Sequence, residues 1–295
     1  MEFKQLEVYV KLVELKSFSD AAKALGISQP TVSVIIKNLE NDLNSELITR
    51  STREVEVTKK GEELFEKALD LLKQRDNIIY EFRGINNKKI NIGASSIPSE
   101  FLLPDYLKDF KNEYEDTKTA VYESNSKTVI QKVKDYELDV GFVGMKEEIK
   151  NLKYIPIYKD QLVFIATNDK YHRDLIAQKP SVKRLLEEPL ILREEGSGTN
   201  ELFKKLLKKL DMDLSDINIS LRANRSELIK KMVKDNLGSA FVSKLSINHI
   251  QSDEFITYDI DIDTSRNFYL IYNKNYPKNS EIECFVEFIK DKINK

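Results

Sequence analysis

The apolar positions at the start of the chain repeat at the spacing of amphipathic helices. Four of them follow at intervals of three or four residues and predict the buried face of a first helix: Phe3, Leu6, Val10 and Val13. A second helix is predicted over residues 18–25, because Ser17 or Ser19 suits its N-cap. Gly26 suits a left-handed residue after the last turn of that helix.

A third helix is predicted after a short turn through Ile27. Ser28 suits its N-cap, and Pro30 lies in its first turn, where a missing N–H costs nothing. Its inward face is predicted to consist of Val32, Ile36 and Leu39. Two capped helices joined by a short glycine-containing turn are typical of a helix-turn-helix, whose second helix enters the major groove of DNA. A three-helix domain that binds another protein is the alternative.

Two short apolar runs after the third helix, 47–50 and 55–58, can pair around the turn at 51–54. They predict the small β-hairpin that is called a wing. Arg50 and Arg53 would then be placed to contact phosphates or the minor groove. The segment as a whole predicts a winged helix-turn-helix.

A long helix with a coiled-coil seam is predicted after Thr58. The seam positions alternate at spacings of four and three: Leu64, Ala68, Leu71, Arg75, Ile78 and Phe82. This pattern favours a homodimer in which two such helices pair. The alternative is that the helix packs on the rest of its own chain.

The sequence pattern changes from Lys88 onward, and the polar run at 86–89 marks this domain boundary. Short apolar runs now alternate with amphipathic segments, which predicts an α/β domain with a mostly parallel sheet. The predicted strands lie at 90–94, 119–122, 140–143, 162–166, 190–192 and 239–242. The predicted helices lie at 100–114, 127–136, 200–210 and 226–235.

Three polar segments follow predicted strands and open predicted helices, where backbone N–H groups and the positive end of the helix suit an anion. Their polar positions are Ser95 and Ser96; Asn125, Ser126 and Thr128; and Arg193, Gly196, Ser197, Gly198 and Thr199. The Gly-Ser-Gly-Thr turn resembles an anion-binding nest, but no P-loop lysine follows it. Phe142, Asn224 and Phe241 are weaker candidates for the same site. Ordinary helix capping is the alternative for each segment.

The charge of the chain does not favour binding to nucleic acid. The chain has a net charge of −2, and its first 60 residues contain nine basic and nine acidic side chains. A basic footprint is the usual signature of a DNA-binding domain, so the DNA prediction rests on the helical pattern. The length of 295 residues predicts two or three domains.

Composition also limits the chemistry. The sequence contains no run of about 18 apolar residues, so no membrane span is predicted. No secretion signal is expected after Met1. We therefore expect a cytoplasmic protein. Cys284 is the single cysteine, which excludes an internal disulfide, and we expect it to be buried in a C-terminal helix. His172 and His249 lie near no nucleophile motif, and Gly-x-Ser-x-Gly is absent. We therefore expect no catalytic residues, no metal and no cofactor, with an α/β enzyme as the weaker alternative.

The motifs at 17–22, 25–33, 39–40, 47–50 and 57–61 closely resemble those of LysR-type transcriptional regulators. The resemblance implies a second domain like the type II periplasmic binding proteins, with two α/β subdomains and an effector cleft. The predicted domains are a winged helix-turn-helix at 1–58, a linker and dimerisation helix at 59–87, and an effector-binding domain at 88–295. Crossings near 160–167 and 263–269 divide the last into subdomain one, 88–162 with 267–295, and subdomain two, 163–266.

The resemblance also implies DNA contacts. Gln29, Pro30, Thr31 and Ser33 are expected to contact bases or phosphates, and Arg50 and Arg53 the DNA backbone. Ser28 and Lys37 are further candidates for DNA contact. Val34 and Ile35 are apolar where the family often has polar residues. A contact between Val34 and a thymine methyl group is the interpretation that fits its chemistry.

The strand-end segments at 94–98 and 193–199 look like those of regulators for sulfur assimilation or carbon fixation. The effector is therefore expected to be a sulfur oxyanion such as sulfite or sulfate, a cysteine precursor, or a small carboxylate. The other expected partners are double-stranded DNA, a second copy of the chain in a dimer or a dimer of dimers, and RNA polymerase. A DNA-binding dimer that responds only to a protein partner remains the alternative.

Overall fold

The computed structural model describes residues 1–50, 55–82, 89–247, 255–274 and 281–293. The chain forms two compact units, Met1–Asn87 and Lys88–Lys295. None of the described helices is long and apolar enough to cross a membrane.

The first unit consists of helices and one hairpin. Its elements are α1 (Phe3–Leu15), α2 (Phe18–Leu25), α3 (Gln29–Leu43), β1 (Ile48–Arg50), β2 (Val55–Val57) and α4 (Lys59–Phe82). The caps predicted from the sequence are present: the Ser17 hydroxyl accepts the N–H of Asp20, and the Ser28 hydroxyl accepts the N–H of Thr31. Gly26 ends α2 with a φ of 65°. Strands β1 and β2 pair antiparallel, as a wing requires.

The core of the first unit joins the three-helix bundle to the linker helix. Tyr9, Ala21 and Ala68 are fully buried in it, and small side chains at the last two positions allow close helix packing. The Glu40 carboxylate accepts the backbone N–H groups of Leu47 and Ile48 at 2.9 and 3.1 Å. This carboxylate therefore fixes the start of the wing to helix α3.

The second unit alternates strands and helices. Its elements are β3 (Lys89–Ser95), α5 (Ser96–Phe101), α6 (Leu103–Glu113), β4 (Lys118–Ser124), α7 (Ser126–Lys134), β5 (Val140–Val143), β6 (Leu152–Asp160), β7 (Leu162–Thr167), α8 (Lys170–Ala177), α9 (Val182–Leu185), β8 (Leu190–Arg193), α10 (Gly198–Lys209), β9 (Ile219–Ala223), α11 (Ser226–Lys234), β10 (Ala240–Ser243), β11 (Phe255–Asp259), β12 (Arg266–Asn273) and α12 (Glu281–Ile293). Short 3₁₀ helices occupy Leu214–Asp216 and Lys244–Ile247.

These strands build two subdomains. The first has a five-stranded sheet in the order β4-β3-β5-β12-β6, with β3 parallel to β4 and β5, and β12 antiparallel to β5 and β6. The second has the antiparallel sheet β10-β7-β11 and the parallel pair β8-β9. The chain passes between the subdomains at 160–162 and 259–266. Both crossings therefore lie beside the same pair of neighbouring strands, β6 and β12.

The structure departs from the sequence expectations at three places. Strands β6, β9, β11 and β12 were not among the predicted strands; β6 contains Pro156, which its position at the edge of the sheet tolerates. The helix predicted at 100–114 is two helices, because Pro104 begins a new one. Cys284 is exposed, contrary to expectation, since the buried face of α12 is formed by the neighbouring side chains Ile282, Phe285 and Val286.

Candidate functional site: a polar effector cleft and a recognition helix

Helix α3 presents a continuous exposed face in the first unit. The exposed side chains on it are Gln29, Pro30, Thr31, Val34, Lys37 and Asn38. Ser28 is exposed just before the helix, with its hydroxyl 2.7 Å from that of Thr31, whereas Ser33 is half-buried. Val34 is 57% exposed and thus turns an apolar side chain to the outside at the middle of the face. Arg53 and the side chain of Arg50 lie outside the described residues.

The second unit contains a narrow cleft between its subdomains, with a cavity volume of about 10 Å³. Twelve residues line it: Ser95, Ser96, Ile97, Asn125, Ser126, Gly144, Arg193, Ser197, Gly198, Thr199, Arg266 and Phe268. The structure thus brings together all three polar segments that the sequence singled out. No acidic side chain is among these lining residues.

The cleft hydroxyls accept hydrogen bonds from fixed N–H donors. Ser126 accepts from the backbone N–H of Gly144, and Ser197 accepts from that of Asn200. Two further hydroxyls, those of Ser96 and Thr199, accept from arginine side chains, as described below. A hydroxyl that accepts from an N–H keeps its own proton to donate elsewhere. These hydroxyls are therefore set to act as hydrogen-bond donors.

Ser95 differs from the other hydroxyls. It precedes α5 at the N-cap position but makes no capping hydrogen bond, and its side chain has no partner among the described residues. It is nevertheless buried against the cleft. Its hydroxyl is thus available to a ligand in full.

Two glycines bring the subdomains into backbone contact across the cleft. A side chain on Gly198 would begin 2.6 Å from the carbonyl oxygen of Gly144, so nothing larger than hydrogen fits there. Nearby, the N–H of Lys127 donates to the carbonyl of Gly196 at 3.1 Å. Gly196 itself has a φ of 79°, where glycine is favoured. The cleft is therefore closed in this structure.

Arg193 spans the cleft. Its Nη2 donates to the Ser96 hydroxyl of subdomain one at 3.1 Å and to the Asn224 carbonyl of subdomain two at 3.0 Å. Its Nη1 donates to the Ser226 hydroxyl at 3.4 Å. The adjacent Glu194 carboxylate accepts from Nε and Nη2, each at 3.3 Å.

Arg266 lies at the crossing of the chain between subdomains and was not singled out from the sequence. Its Nε and Nη2 donate to one oxygen of Asp160 at 2.9 and 2.8 Å, and Nη2 also donates to the Thr199 hydroxyl at 3.3 Å. The Asp160 side chain is 0% exposed and that of Arg266 is 7% exposed. Burial lowers the pKa of the Arg266 guanidinium, while the Asp160 carboxylate acts in the opposite direction.

Several predicted effector residues lie elsewhere. Phe142 does not line the cleft, because its side chain packs in the core against Phe285. Asn224 contributes its carbonyl to Arg193, and Thr128 contributes its N–H to the Asn125 cap. Phe241 packs in the core of subdomain two. Gly144, Arg266 and Phe268 line the cleft but were not predicted from the sequence. Gly144 directly follows β5, and Arg266 and Phe268 reach the cleft through the pairing of β12.

Comparison with known proteins identifies both units. Residues 3–62 match the model for the bacterial regulatory helix-turn-helix protein, lysR family, and residues 83–294 match the LysR substrate binding domain. The chain belongs to the LysR family. This LysR-family chain is a DNA-binding transcription regulator with an effector-binding domain, as the resemblance of its N-terminal motifs predicted.

Its relatives include regulators from archaea and bacteria. An uncharacterised HTH-type transcriptional regulator of Methanocaldococcus jannaschii is 31% identical over 291 residues, which is 96% of each chain. The RuBisCO operon transcriptional regulator of Allochromatium vinosum is 24% identical over 294 residues, covering 98% of this LysR-family chain and 95% of the relative.

Solved structures show the same fold. A full-length OxyR variant from Pseudomonas aeruginosa matches with a TM-score of 0.68 and 19% identity, over 100% of this chain and 95% of that one. The regulatory domain of CcmR from Synechocystis, in complex with 2-phosphoglycolate, matches with a TM-score of 0.62 and 21% identity. That match covers 70% of the LysR-family chain and 98% of the CcmR domain.

Proposed function

We propose that this regulator responds to a small anion bound in the cleft of its second unit. The observation on which this rests is the orientation of the cleft hydroxyls. Four of them accept from N–H groups and so can offer their protons to a ligand, and the Ser95 hydroxyl is free of partners among the described residues. Donors without a carboxylate among them suit an oxyanion and disfavour a cation.

Helix ends add to this preference. The first turns of α7 and α10 contribute Ser126, Gly198 and Thr199 to the lining. A helix N-terminus holds about half a positive charge, so two of them favour a negative ligand between them. We propose a sulfur oxyanion, a cysteine precursor or a small carboxylate as that ligand.

The relatives agree with this class of ligand. The matched CcmR domain holds 2-phosphoglycolate, which is a small anion, and the Allochromatium relative regulates an operon for carbon fixation. We propose that the present regulator belongs with the carbon-fixation or sulfur-assimilation group in its choice of effector. The other proposed contacts are the cap at Asn125 and the nest formed by Gly196, Ser197 and Gly198.

Replacing Ser95 with alanine is expected to weaken anion binding without destabilising the free protein. The hydroxyl makes no internal hydrogen bond among the described residues, so its removal leaves nothing unpaired. One lost hydrogen bond to a charged ligand corresponds to about 1.5 kcal/mol or roughly a tenfold rise in Kd. Thermal unfolding of the full chain, titrated with sulfite, sulfate, phosphate and 2-phosphoglycolate, measures both effects.

The matched control is Ser181→Ala, which removes the cap of α9 far from the lining residues. It should lower the melting temperature slightly and leave the response to anions unchanged. If no anion at millimolar concentration stabilises the wild-type chain, the proposal of anion control is wrong, and a protein partner becomes the better candidate.

We also propose that the regulator works as a homodimer through α4. Leu71 and Ile78 lie seven residues apart on this helix and are 38% and 56% exposed in the single chain. One heptad separates them, which suits pairing with a second copy of the helix. A dimer of dimers, recruitment of RNA polymerase, a cytoplasmic location and the absence of any catalytic role complete the proposal.

The proposed DNA contacts are the exposed residues at the start of α3, with Lys37 and the two wing arginines on phosphates and Val34 on a thymine methyl. Replacing Gln29 with alanine should weaken binding to a selected operator by about tenfold, since a bidentate base contact contributes about 1–3 kcal/mol. Gln131→Ala, on an exposed face of α7, is the matched control. Fluorescence anisotropy at fixed salt measures the change, and unchanged affinity for Gln29→Ala would exclude this residue from base recognition.

A further inference from the structure

The two buried arginines of the cleft differ in how their donors are used. Arg193 directs nitrogens to five protein acceptors: both oxygens of Glu194, two hydroxyls and one carbonyl. Those acceptors lie on both sides of the cleft, because Ser96 belongs to subdomain one and Ser226 to subdomain two. Such a side chain connects the subdomains, and little of its guanidinium is left for a ligand.

Arg266 uses only one edge of its guanidinium. Nε and Nη2 are bound to Asp160 and Thr199, whereas Nη1 donates to no group among the described residues. The side chain is 7% exposed and lines the cleft, so these two N–H groups open into it. An oxygen of a bound anion can accept from these N–H groups in a charge-assisted hydrogen bond.

The position of Arg266 is fixed from several sides. Asp160 lies opposite Arg266 where β6 pairs with β12. The carboxylate oxygen of Asp160 that does not bind Arg266 accepts the N–H of Leu245 at 3.2 Å. The guanidinium carbon of Arg266 lies over the Phe268 ring, 4.5 Å from the centroid of that ring. A guanidinium held in this way pays little further entropy when it binds an anion.

We propose that Arg266 is the residue that binds the charge of the effector, through Nη1, and that Arg193 serves to hold the cleft closed. This assignment rests on the proposed control by a small anion and names the group that recognises it. It also places the bound anion against the strands on which the subdomains cross, since Arg266 begins β12 and Asp160 ends β6.

Gly144 offers a way to block Nη1 without touching the ion pair. A Cβ at this position would lie 3.2 Å from Nη1 and 3.0 Å from the edge of the Phe268 ring. The φ of Gly144 lies outside the range that strains other residues, so alanine adds no backbone strain, and the Phe268 ring and Nη1 need to shift by only a few tenths of an ångström. Gly144→Ala therefore occupies the place that the proposal assigns to the anion.

The test uses the full chain and the four anions named above, with Kd from calorimetry. Gly144→Ala and Arg266→Lys should each raise the Kd by about tenfold or more, because lysine can keep the charge opposite Asp160 but has no second edge to offer. Arg225→Lys is the matched control: Arg225 also pairs across the cleft, with Glu123 at 3.3 Å, but does not line it. Its Kd should stay within about twofold of wild type.

Thermal unfolding of the full chain without anion, compared with that of the wild type, shows that the second unit of each variant is folded. If the wild-type chain binds none of the four anions, the proposed function fails and the assignment fails with it. If the wild type binds one of them and both Gly144→Ala and Arg266→Lys bind it equally well, anion control stands and the role of Arg266 is overturned. A tenfold loss in Arg225→Lys would overturn it too, since any disturbance of the cleft would then suffice.

Discussion

Gly61→Ala should destabilise the DNA-binding unit by about 3 kcal/mol, the upper end of the usual cost of overpacking. A Cβ at Gly61 would lie 2.3 Å from the carbonyl oxygen of Leu47, 2.7 Å from the Val57 side chain and 2.8 Å from the Tyr9 hydroxyl. All three distances are shorter than the separations that Cβ atoms show in real structures, and the first is to a backbone atom. The wing or the start of α4 must therefore move, which would also weaken operator binding. Urea unfolding of the full chain and operator affinity measure the two effects.

Gly26→Ala is the control that separates crowding from backbone strain. Gly26 has a φ of 65°, but a Cβ there would meet nothing within 4 Å. Its replacement should cost only about 1 kcal/mol, because alanine tolerates the left-handed conformation poorly. If the two variants lost equal stability, the close approach of Gly61 to the wing would not be the cause.

Gly198→Ala should abolish the response to anions while operator binding without anion persists. The new Cβ would lie 2.6 Å from the carbonyl oxygen and 2.7 Å from the carbonyl carbon of Gly144, on the opposite side of the cleft. The subdomains must then separate, and strain of about 3 kcal/mol corresponds to a loss of roughly 100-fold in anion affinity. Calorimetry with the anion that binds the wild type provides the measurement.

Lys205→Ala is the matched control for that variant, since Lys205 is exposed on the same helix. Its anion affinity should equal that of the wild type. An anion affinity near the wild-type value in Gly198→Ala would show that the cleft binds its ligand without the closed contact between the two glycines.

Local signals explain why the first unit was predictable. The caps at Ser17 and Ser28 and the turn at Gly26 depend on residues within four positions of each other, and the structure contains all of them. The three segments that line the cleft were predictable for the same reason, because each is a polar start of a helix after a strand. Such signals need no knowledge of the tertiary fold.

Long-range pairing explains what was missed. Arg266 reaches the cleft only because β12 pairs with β6, more than 100 residues away in sequence, and opposes it to Asp160. Phe142 was misplaced for a related reason: every residue of β5 is buried, so alternation could not show which face meets the cleft. Strand β6 lacked a signal because charged residues and Pro156 interrupt its apolar pattern.

The anion site that we propose in the cleft would tie the sensitivity of the regulator to the salt around it. Chloride and inorganic phosphate also accept hydrogen bonds, so they would compete with the effector anion for the hydroxyls and for Nη1 of Arg266 that we propose as its donors. Under mass action the apparent Kd of the effector rises in proportion to one plus a ratio, which is the concentration of the competing anion divided by that anion's own Kd. The effector concentration at half response would therefore follow the anion content of the surroundings, and a regulator built this way reports a ratio of anions instead of one absolute concentration.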